Sequence, residues 1–182
     1  SLHDALPICE GFRTFPDGTR MNFTLNATDM TPEGPAQFVI DDWAAVGVRV
    51  LLRSRARRLF EQEKPTYEHD FTVWTGESEF YPLVEPRNFV PTYIESFYAP
   101  GYGTWYQSGG LHGDPAALRP NASAPPLGHP LRRAMEILDE IDAEPSEAVR
   151  IAKFNEIQEI AAENVWTISI STAPPQLVVV KN

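Results

Sequence analysis

Cysteine is nearly absent from this sequence, and so is any long apolar run. The single cysteine, Cys9, excludes an internal disulfide and a zinc site built on several cysteines. A membrane-spanning helix needs roughly 20 consecutive apolar residues, and no stretch of the chain approaches that length. We therefore expect no transmembrane helix and no cysteine-held metal.

Positive charge is also scarce. The 182 residues include 15 Lys and Arg against 25 Asp and Glu, a formal net charge of −10. A nucleic-acid-binding protein needs a basic patch to neutralise phosphates, so this class is excluded. The basic segment from Arg53 to Arg58 is followed by Glu61 and Glu63, and we interpret it as the solvated face of a helix. The hydrophobic content of 42% is typical of a folded domain.

The first residues of the chain do not match the rest. Residues 1–8 read Ser-Leu-His-Asp-Ala-Leu-Pro-Ile, which is what a common sequencing adapter yields when it is translated. We expect this segment to be foreign and exclude it from fold reasoning. The native sequence is then residues 9–182, which we expect to be truncated at both ends.

Hydrophobic periodicity predicts an α/β fold. The first half reads strand, helix, strand, helix, strand, and its first three elements suit a right-handed parallel crossover. These five elements are expected at 20–27, from Thr31-Pro32 to Gly47, at 48–52, from Arg53 to Lys64-Pro65, and at 70–74. The second half has two closely spaced helices, near 131–141 and 148–160, which predict an antiparallel hairpin. Two strands, at 166–171 and 177–180, are expected to follow it.

A long aromatic-rich loop, from Gly76 to about Gly128, separates the two halves. This density of rings is typical of an aromatic subcore or of a stacking surface for a ligand, with short helical turns expected around Tyr93 to Tyr98. The rings are Phe80, Tyr81, Phe89, Tyr93, Phe97, Tyr98, Tyr102, Trp105 and Tyr106.

The sequence contains few candidates for catalysis. Glu77 and Glu79, two residues apart in the loop, are a conceivable acid and base pair, although loop acids are commonly just solvated. The chain lacks a nucleophile elbow and a phosphate-binding loop, and its four histidines lack metal-ligand spacing. We expect a protein that is not an enzyme and that needs no metal or cofactor.

Several motifs together resemble a known family. They are Asp17-Gly18 before a strand, the helix end at 45–50, Val73-Trp74-Thr75-Gly76, the segments 105–110 and 162–168, and the closing segment 174–182. In this order the chain resembles the C-terminal part of bacterial extracellular solute-binding proteins of family 5. These are receptors of ABC importers for peptides, nickel or oligosaccharides, and the resemblance extends over nearly all of the chain from Cys9.

The resemblance implies most of a second lobe of a periplasmic-binding-protein-like clamshell (class II). Its function would be to capture a small peptide, or alternatively an oligosaccharide, in the periplasm or at the cell surface and to deliver it to an ABC permease. In the peptide receptors an aspartate just after the equivalent strand pairs with the α-amino group of the peptide, and here Glu77 occupies that place. Trp74 would lie beside it, as a stacking residue or a core tryptophan. Trp105 and Tyr106 would line the cleft or pack the loop.

Overall fold

A computed structural model describes residues 8–9, 11–29, 33–66, 68–74, 82–114 and 119–170. Its strands are β1 (Ile8–Cys9), β2 (Phe12–Arg13), β3 (Asn22–Thr28), β4 (Arg49–Arg55) and β5 (Phe71–Thr72). Its α-helices are α1 (Glu33–Ala45), α2 (Arg57–Glu63), α3 (Pro100–Gln107), α4 (Pro130–Asp142) and α5 (Glu147–Asn164). Short 3-10 helices lie at Lys64–Thr66, Pro86–Asn88 and Gly110–His112.

The centre of the first half is a parallel sheet with the strand order β4-β3-β5. Strand β3 pairs with β4 along its whole length, from Asn22 opposite Arg49 to Thr28 opposite Arg55. Helix α1 connects these two strands, and Gly47 ends the connection with a φ of +82°, which a glycine adopts without strain. The predicted strand–helix–strand crossover is confirmed. Thr31 and Pro32, expected to begin the helix, lie outside the described residues.

One face of this sheet packs against α1. Leu25 of β3 and Val50 of β4 form a buried cluster with Ala36 of the helix, and Ile40 and Trp43 pack around them. The described residues from 8 to 74 are called the sheet unit below. Its hydrophobic core is small, and Phe38 of α1 remains 70% exposed.

The predicted start of the second helix is wrong. Residues 53–55 belong to β4, and α2 begins at Arg57. Arg53, Ser54 and Arg55 pair with Asn26, Ala27 and Thr28 of β3, so the neighbouring strand extends β4 past the point where its apolar run ends. The third predicted strand is also shorter than expected, because β5 covers only Phe71–Thr72.

The second half is built on the helix hairpin, which is confirmed. Helices α4 and α5 bury Met135, Ile137 and Ile157 between them and the preceding loop. Trp105 of α3 and Val90 complete this core. The described residues from 82 to 170 are called the helical unit below.

The aromatic loop is partly helical, and a turn is present at Tyr93 as expected. Its longest helix is α3, with the 3-10 helices Pro86–Asn88 and Gly110–His112 on either side. The stretch around Tyr93 forms a single turn in which Ser96 N–H donates to the Tyr93 carbonyl at 2.9 Å. A close approach fixes this packing: a Cβ at Gly103 would lie 2.3 Å from the Tyr93 oxygen. Glycine at this position therefore lets α3 pack directly on the turn.

The predicted strand at 166–171 is wrong over its described part. Residues 166–170 are irregular, and Trp166 stacks on Tyr98 with ring centroids 6.1 Å apart. The Thr167 hydroxyl donates to the Asn88 carbonyl at 3.4 Å. The alternating apolar pattern is that of a strand, but a strand also needs a partner, and the described sheets do not pair with this segment. The strand expected at 177–180 lies outside the described residues.

None of the helices in the described ranges combines the length and apolarity that crossing a membrane requires.

Candidate functional site

The three parallel strands end along one side of the sheet, called the carboxyl edge here (residues 26–28, 53–55 and 72–74). Open α/β sheets bind ligands at this side, because loops leave the strands there and their side chains converge. Strand β5 ends at Thr72, and Val73 N–H still donates to the Asn26 carbonyl at 2.9 Å. This bond holds the next residue, Trp74, at the edge.

A polar network occupies the middle of this edge. Glu63 of α2 accepts a hydrogen bond from Arg55 Nε at 3.2 Å and a longer one from Asn26 Nδ2 at 3.5 Å. Asn26 is 1% exposed, and its Oδ1 has no hydrogen-bond partner within the described part of the chain. A buried amide with half of its bonding capacity unused is costly, and such costs concentrate at binding sites.

Trp74 is the centre of an aromatic cluster. Its ring stacks on Phe60 of α2, with centroids 5.4 Å apart and an interplanar angle of 23°. Phe97 of the long loop lies 5.9 Å away on a tilted plane. The Arg57 guanidinium carbon is 5.4 Å from the Trp74 ring centroid, within cation–π range. Trp74 is half-buried. One part of its ring packs against the cluster, and the rest remains accessible to a ligand.

Glu77 and Glu79, the carboxylates that the sequence singled out, lie outside the described residues. Their roles as ligand anchor, or as acid and base, therefore stay predictions. The structure does locate the point from which this segment departs, since Trp74 is three residues before Glu77 and sits at the carboxyl edge.

Trp105 and Tyr106 are not brought together with Trp74. Trp105 is 6% exposed inside the helical core, and the Arg132 guanidinium carbon lies 5.5 Å from its ring centroid. Tyr106 donates its hydroxyl to Asp139 Oδ1 at 2.5 Å. These contacts join α3 to α4, as packing residues do, and a ligand contact by either residue stays a prediction.

The carboxylate of Asp139 also binds a histidine. Its Oδ2 lies 3.2 Å from His112 Nε2, whose side chain is 78% exposed. Burial, and then the hydrogen bond to Asp139, raise the pKa of the Tyr106 hydroxyl above its usual value. Through the one carboxylate of Asp139, the tyrosine ties α3 to α4 and the exposed histidine ties the 3-10 helix Gly110–His112 to α4.

Another histidine lies beside the aromatic cluster. Burial lowers the pKa of His69, whose ring stacks on Phe60 at 6.4 Å. Among the residues that the structure describes, no three His, Cys, Asp or Glu side chains are grouped so as to hold a metal ion. The arrangement at the carboxyl edge, a half-open indole with a guanidinium and a carboxylate nearby, is suited to binding a polar ligand.

Sequence reasoning missed the polar members of this edge. Arg55 and Arg57 were assigned to one continuous helix face, although Arg55 ends β4, Arg57 begins α2 and Ala56 between them is the N-cap of the helix. Asn26 carried only a weak signal: asparagine is disfavoured in strands, but it falls on the polar face of the alternating pattern of Phe23 and Leu25. Its burial became evident only from the structure, in which both faces of this central strand are covered at Asn26.

Comparison with known proteins identifies the fold. No protein-family model matches the chain, and no curated protein sequence does. Among solved structures it is similar to the oligopeptide-binding protein OppA, with a TM-score of 0.70 and 22% identity over 90% of this chain. It is also similar to the periplasmic binding protein MelB from Agrobacterium fabrum C58 in complex with stachyose (TM-score 0.65, 16% identity, 92% of this chain).

A third similar structure is NikA from Brucella suis in complex with Fe(III)-EDTA, with a TM-score of 0.56 and 15% identity over 87% of this chain. The chain spans about a quarter of these proteins, covering 26%, 24% and 27% of their lengths respectively. The fold is therefore α/β and periplasmic-binding-protein-like. The similar chains are binding proteins, and at these identities the likeness concerns the fold.

Proposed function

We propose that this chain is most of the second lobe of a solute-binding protein that serves an ABC importer in the periplasm or at the cell surface. The receptor captures a small peptide between two lobes and delivers it to the permease. The observation that carries this proposal is the similarity in fold to an oligopeptide-binding protein across 90% of the chain. The carboxyl edge, at which the half-buried Trp74 keeps part of its ring accessible, provides the surface on which the second lobe contacts a ligand in this proposal.

Glu77 is the anchor for the α-amino group of the peptide in this proposal. It follows Trp74 by three residues, and Trp74 is fixed at the carboxyl edge by Phe60 and Phe97. A carboxylate that meets an ammonium group away from water forms charge-assisted hydrogen bonds, which are about twice as strong as neutral ones. Trp74 presents the remaining part of its ring beside this anchor.

Ligand capture occurs by hinge closure, in which the missing first lobe folds over the carboxyl edge. The lobe alone makes part of the contacts with a ligand, so it binds a peptide more weakly than the complete receptor does. No step of this function requires a bond to be broken, and the protein is not an enzyme. A catalytic role for Glu77 and Glu79 is the alternative from a different class.

The test is isothermal titration of the complete receptor with a dipeptide and with its N-acetylated form. We expect Glu77→Gln to weaken dipeptide binding by about a hundredfold, since about 3 kcal/mol of charge-assisted pairing is lost. N-acetylation of the dipeptide should weaken its binding to the wild-type receptor by a similar factor. In the Glu77→Gln receptor, acetylation should reduce the affinity little further, because the anchor is already lost. Glu95→Gln, at an exposed acid of the same loop, is the matched control.

Unchanged dipeptide affinity in the Glu77→Gln receptor would exclude the anchor. If the variant and the wild type both fail to bind peptides but bind oligosaccharides, the second candidate function is supported. That candidate, an oligosaccharide receptor, is favoured by the similarity in fold to MelB over 92% of the chain and by the aromatic loop. A thermal-shift screen against both ligand classes separates the two, because a ligand stabilises the protein that binds it.

A further inference from the structure

Strand β4 and the start of α2 carry a cluster of positive charge in an otherwise acidic chain. Residues 49–58 contain five arginines and no acidic residue, although the chain as a whole has a formal charge of −10. Three of these arginines lie on β4 itself, at positions 49, 53 and 55. Anchoring of a ligand by Glu77 does not account for a basic strand.

Strand β4 is also an edge of the parallel sheet, and its one described neighbour is β3. Asp29 N–H donates to the Arg55 carbonyl at 3.2 Å and so continues the ladder between the two strands. In a parallel pair every second residue directs its backbone groups at the neighbouring strand. Because Arg55 faces β3, the backbone groups of Val50, Leu52 and Ser54 face the other way. These outward groups are called the outer edge of β4 here.

Most groups of the outer edge of β4 are unpaired within the described part of the chain. The Ser54 carbonyl accepts a hydrogen bond from Arg55 Nη1 at 3.4 Å. The Ser54 N–H, and both backbone groups of Val50 and of Leu52, bond no described residue. A row of free N–H and C=O groups is the template on which another extended segment adds as a strand.

The side chains along β4 determine which segment fits there. Side chains alternate between the two faces of a strand, and Val50 packs toward α1, so Arg49, Leu51 and Arg53 lie on the opposite face. Leu51 is 56% exposed, and Arg53 is exposed as well. A strand added at the outer edge therefore places its alternate side chains beside a cation, an apolar side chain and a second cation.

The two cations keep their charge uncompensated in the described part of the chain. The Arg49 guanidinium carbon lies 4.4 Å from the centroid of the Phe12 ring. Arg53 Nη1 donates to the Glu68 carbonyl at 3.5 Å. Neither contact supplies a negative charge. Like charges on neighbouring strands destabilise the pairing, so this edge disfavours a second copy of itself and favours an acidic segment.

We propose that the outer edge of β4 is a docking surface for an extended acidic segment of a partner protein. The segment adds to the sheet as a strand and has the pattern acid-x-apolar-x-acid. Its two acids lie beside Arg49 and Arg53, and its apolar residue lies beside Leu51. This interaction goes beyond the proposed capture of a ligand, because it requires neither Glu77 nor Trp74.

The test is an NMR titration of the ¹⁵N-labelled chain with an acetylated and amidated heptapeptide that alternates threonine with glutamate, valine and glutamate. A matched peptide has lysine in place of both glutamates. Both peptides lack a free α-amino group, so they offer no ammonium group to Glu77. We expect the acidic peptide to shift the amides of Val50, Leu52 and Ser54 and to slow their exchange with solvent deuterium. The basic peptide should leave them unchanged.

Variants separate strand addition from general attraction between charges. Arg53→Glu places a like charge beside the added strand and should weaken binding of the acidic peptide by about tenfold. Arg58→Glu makes the same change of charge at an exposed residue of α2, outside the strand, and is the matched control. It should weaken binding by less than about threefold, because salt screens distant charges. Ser54→Pro removes one outward N–H at an exposed position of an edge strand, where proline is tolerated, and should also weaken binding.

Circular dichroism checks that each variant is folded. Four results would overturn the proposal: no shifts at the outer edge of β4 with the acidic peptide, equal shifts with the basic peptide, equal weakening by Arg53→Glu and Arg58→Glu, or undiminished binding by the folded Ser54→Pro protein. Shifts of the same amides with rising protein concentration and no peptide would assign the edge to a second copy and would also overturn it. Shifts confined to the Trp74 indole would contradict it as well, since they would locate the peptide at the carboxyl edge.

Discussion

The two units of this chain differ in how they use their buried positions. The helical unit fills its interior with hydrophobic side chains, and its buried Thr104 is satisfied, since its hydroxyl donates to the Pro100 carbonyl at 2.8 Å. The sheet unit has a small apolar core around Leu25 and Val50, and it buries Asn26 with an unpaired oxygen. The helical unit also buries the Tyr98 hydroxyl without a described hydrogen-bond partner, but its interior is mainly apolar, whereas the buried polar group of the sheet unit lies in a central strand at the carboxyl edge.

Removing apolar volume from the helical core should have the largest effect. Ile157 is completely buried between α4 and α5, so Ile157→Ala loses its transfer free energy and leaves a cavity. We expect the free energy of unfolding to fall by about 2–5 kcal/mol, measured by urea denaturation. Ile151→Ala on the same helix, at a side chain that is 47% exposed, should change it by less than about 0.5 kcal/mol. Equal costs at both positions would contradict the assigned core.

High pH should destabilise the helical unit next. Burial raises the pKa of Tyr98 and of Tyr106, so the unfolded chain releases these protons at a lower pH than the folded chain does. Their contribution is fully present below the ordinary tyrosine pKa of about 10 and is lost as the pH rises above it. Each tyrosine should reduce the free energy of unfolding by at most about 1.4 kcal/mol per pH unit there.

The measurement is urea denaturation between about pH 9 and pH 11, around the ordinary tyrosine pKa. The double variant Tyr98→Phe and Tyr106→Phe should show a flatter dependence on pH than the wild type. If the free energy of unfolding falls equally steeply with pH in the variant and in the wild type, these hydroxyls do not account for the loss of stability at high pH.

Two buried polar side chains allow the units to be compared directly. Asn26→Leu removes an amide whose Oδ1 is unsatisfied and whose Nδ2 makes a long 3.5 Å bond, so we expect a gain of about 1 kcal/mol. Thr104→Val removes a satisfied hydroxyl and leaves the Pro100 carbonyl without it, so we expect a loss of about 1 kcal/mol. Thermal denaturation of both variants shows whether each substitution raises or lowers the stability of the protein. A loss in both cases would mean that Asn26 supports stability as Thr104 does.

The smallest effect is expected at the surface of the helix hairpin. Lys153 Nζ lies 2.6 Å from Glu140 Oε2, and its hydrogen bond, followed by that of Arg133, lowers the pKa of Glu140. Both side chains are well solvated, so Lys153→Met should cost at most about 1 kcal/mol. The stabilisation is present above the ordinary glutamate pKa and is lost as the pH falls through the lowered one.

A ¹³C-detected NMR titration of the Glu140 carboxyl checks this pair. Its pKa should rise toward the ordinary value of about 4.3 in the Lys153→Met protein. An unmoved pKa would mean that Arg133 alone holds the carboxylate.

The sequence alone determined the elements with strong periodicity. Leu131, Ala134, Leu138 and Ile141 recur at helical spacing, and all four are buried in α4. The β3-α1-β4 crossover followed from a strand pattern, a helical pattern and Gly47 in order, because each signal is local. The sequence also predicted that Trp74 lies at the end of a strand, and it thereby predicted the region of the candidate site.

Tertiary structure decided what depends on partners distant in the sequence. Arg53–Arg55 became strand because β3 offered a full-length pairing, and 166–170 stayed irregular because a strand pattern needs a neighbouring strand. The network of Asn26, Arg55 and Glu63 joins segments from different parts of the chain. Local propensity reports the conformation that a segment prefers, whereas the side chains it meets depend on how the whole chain packs.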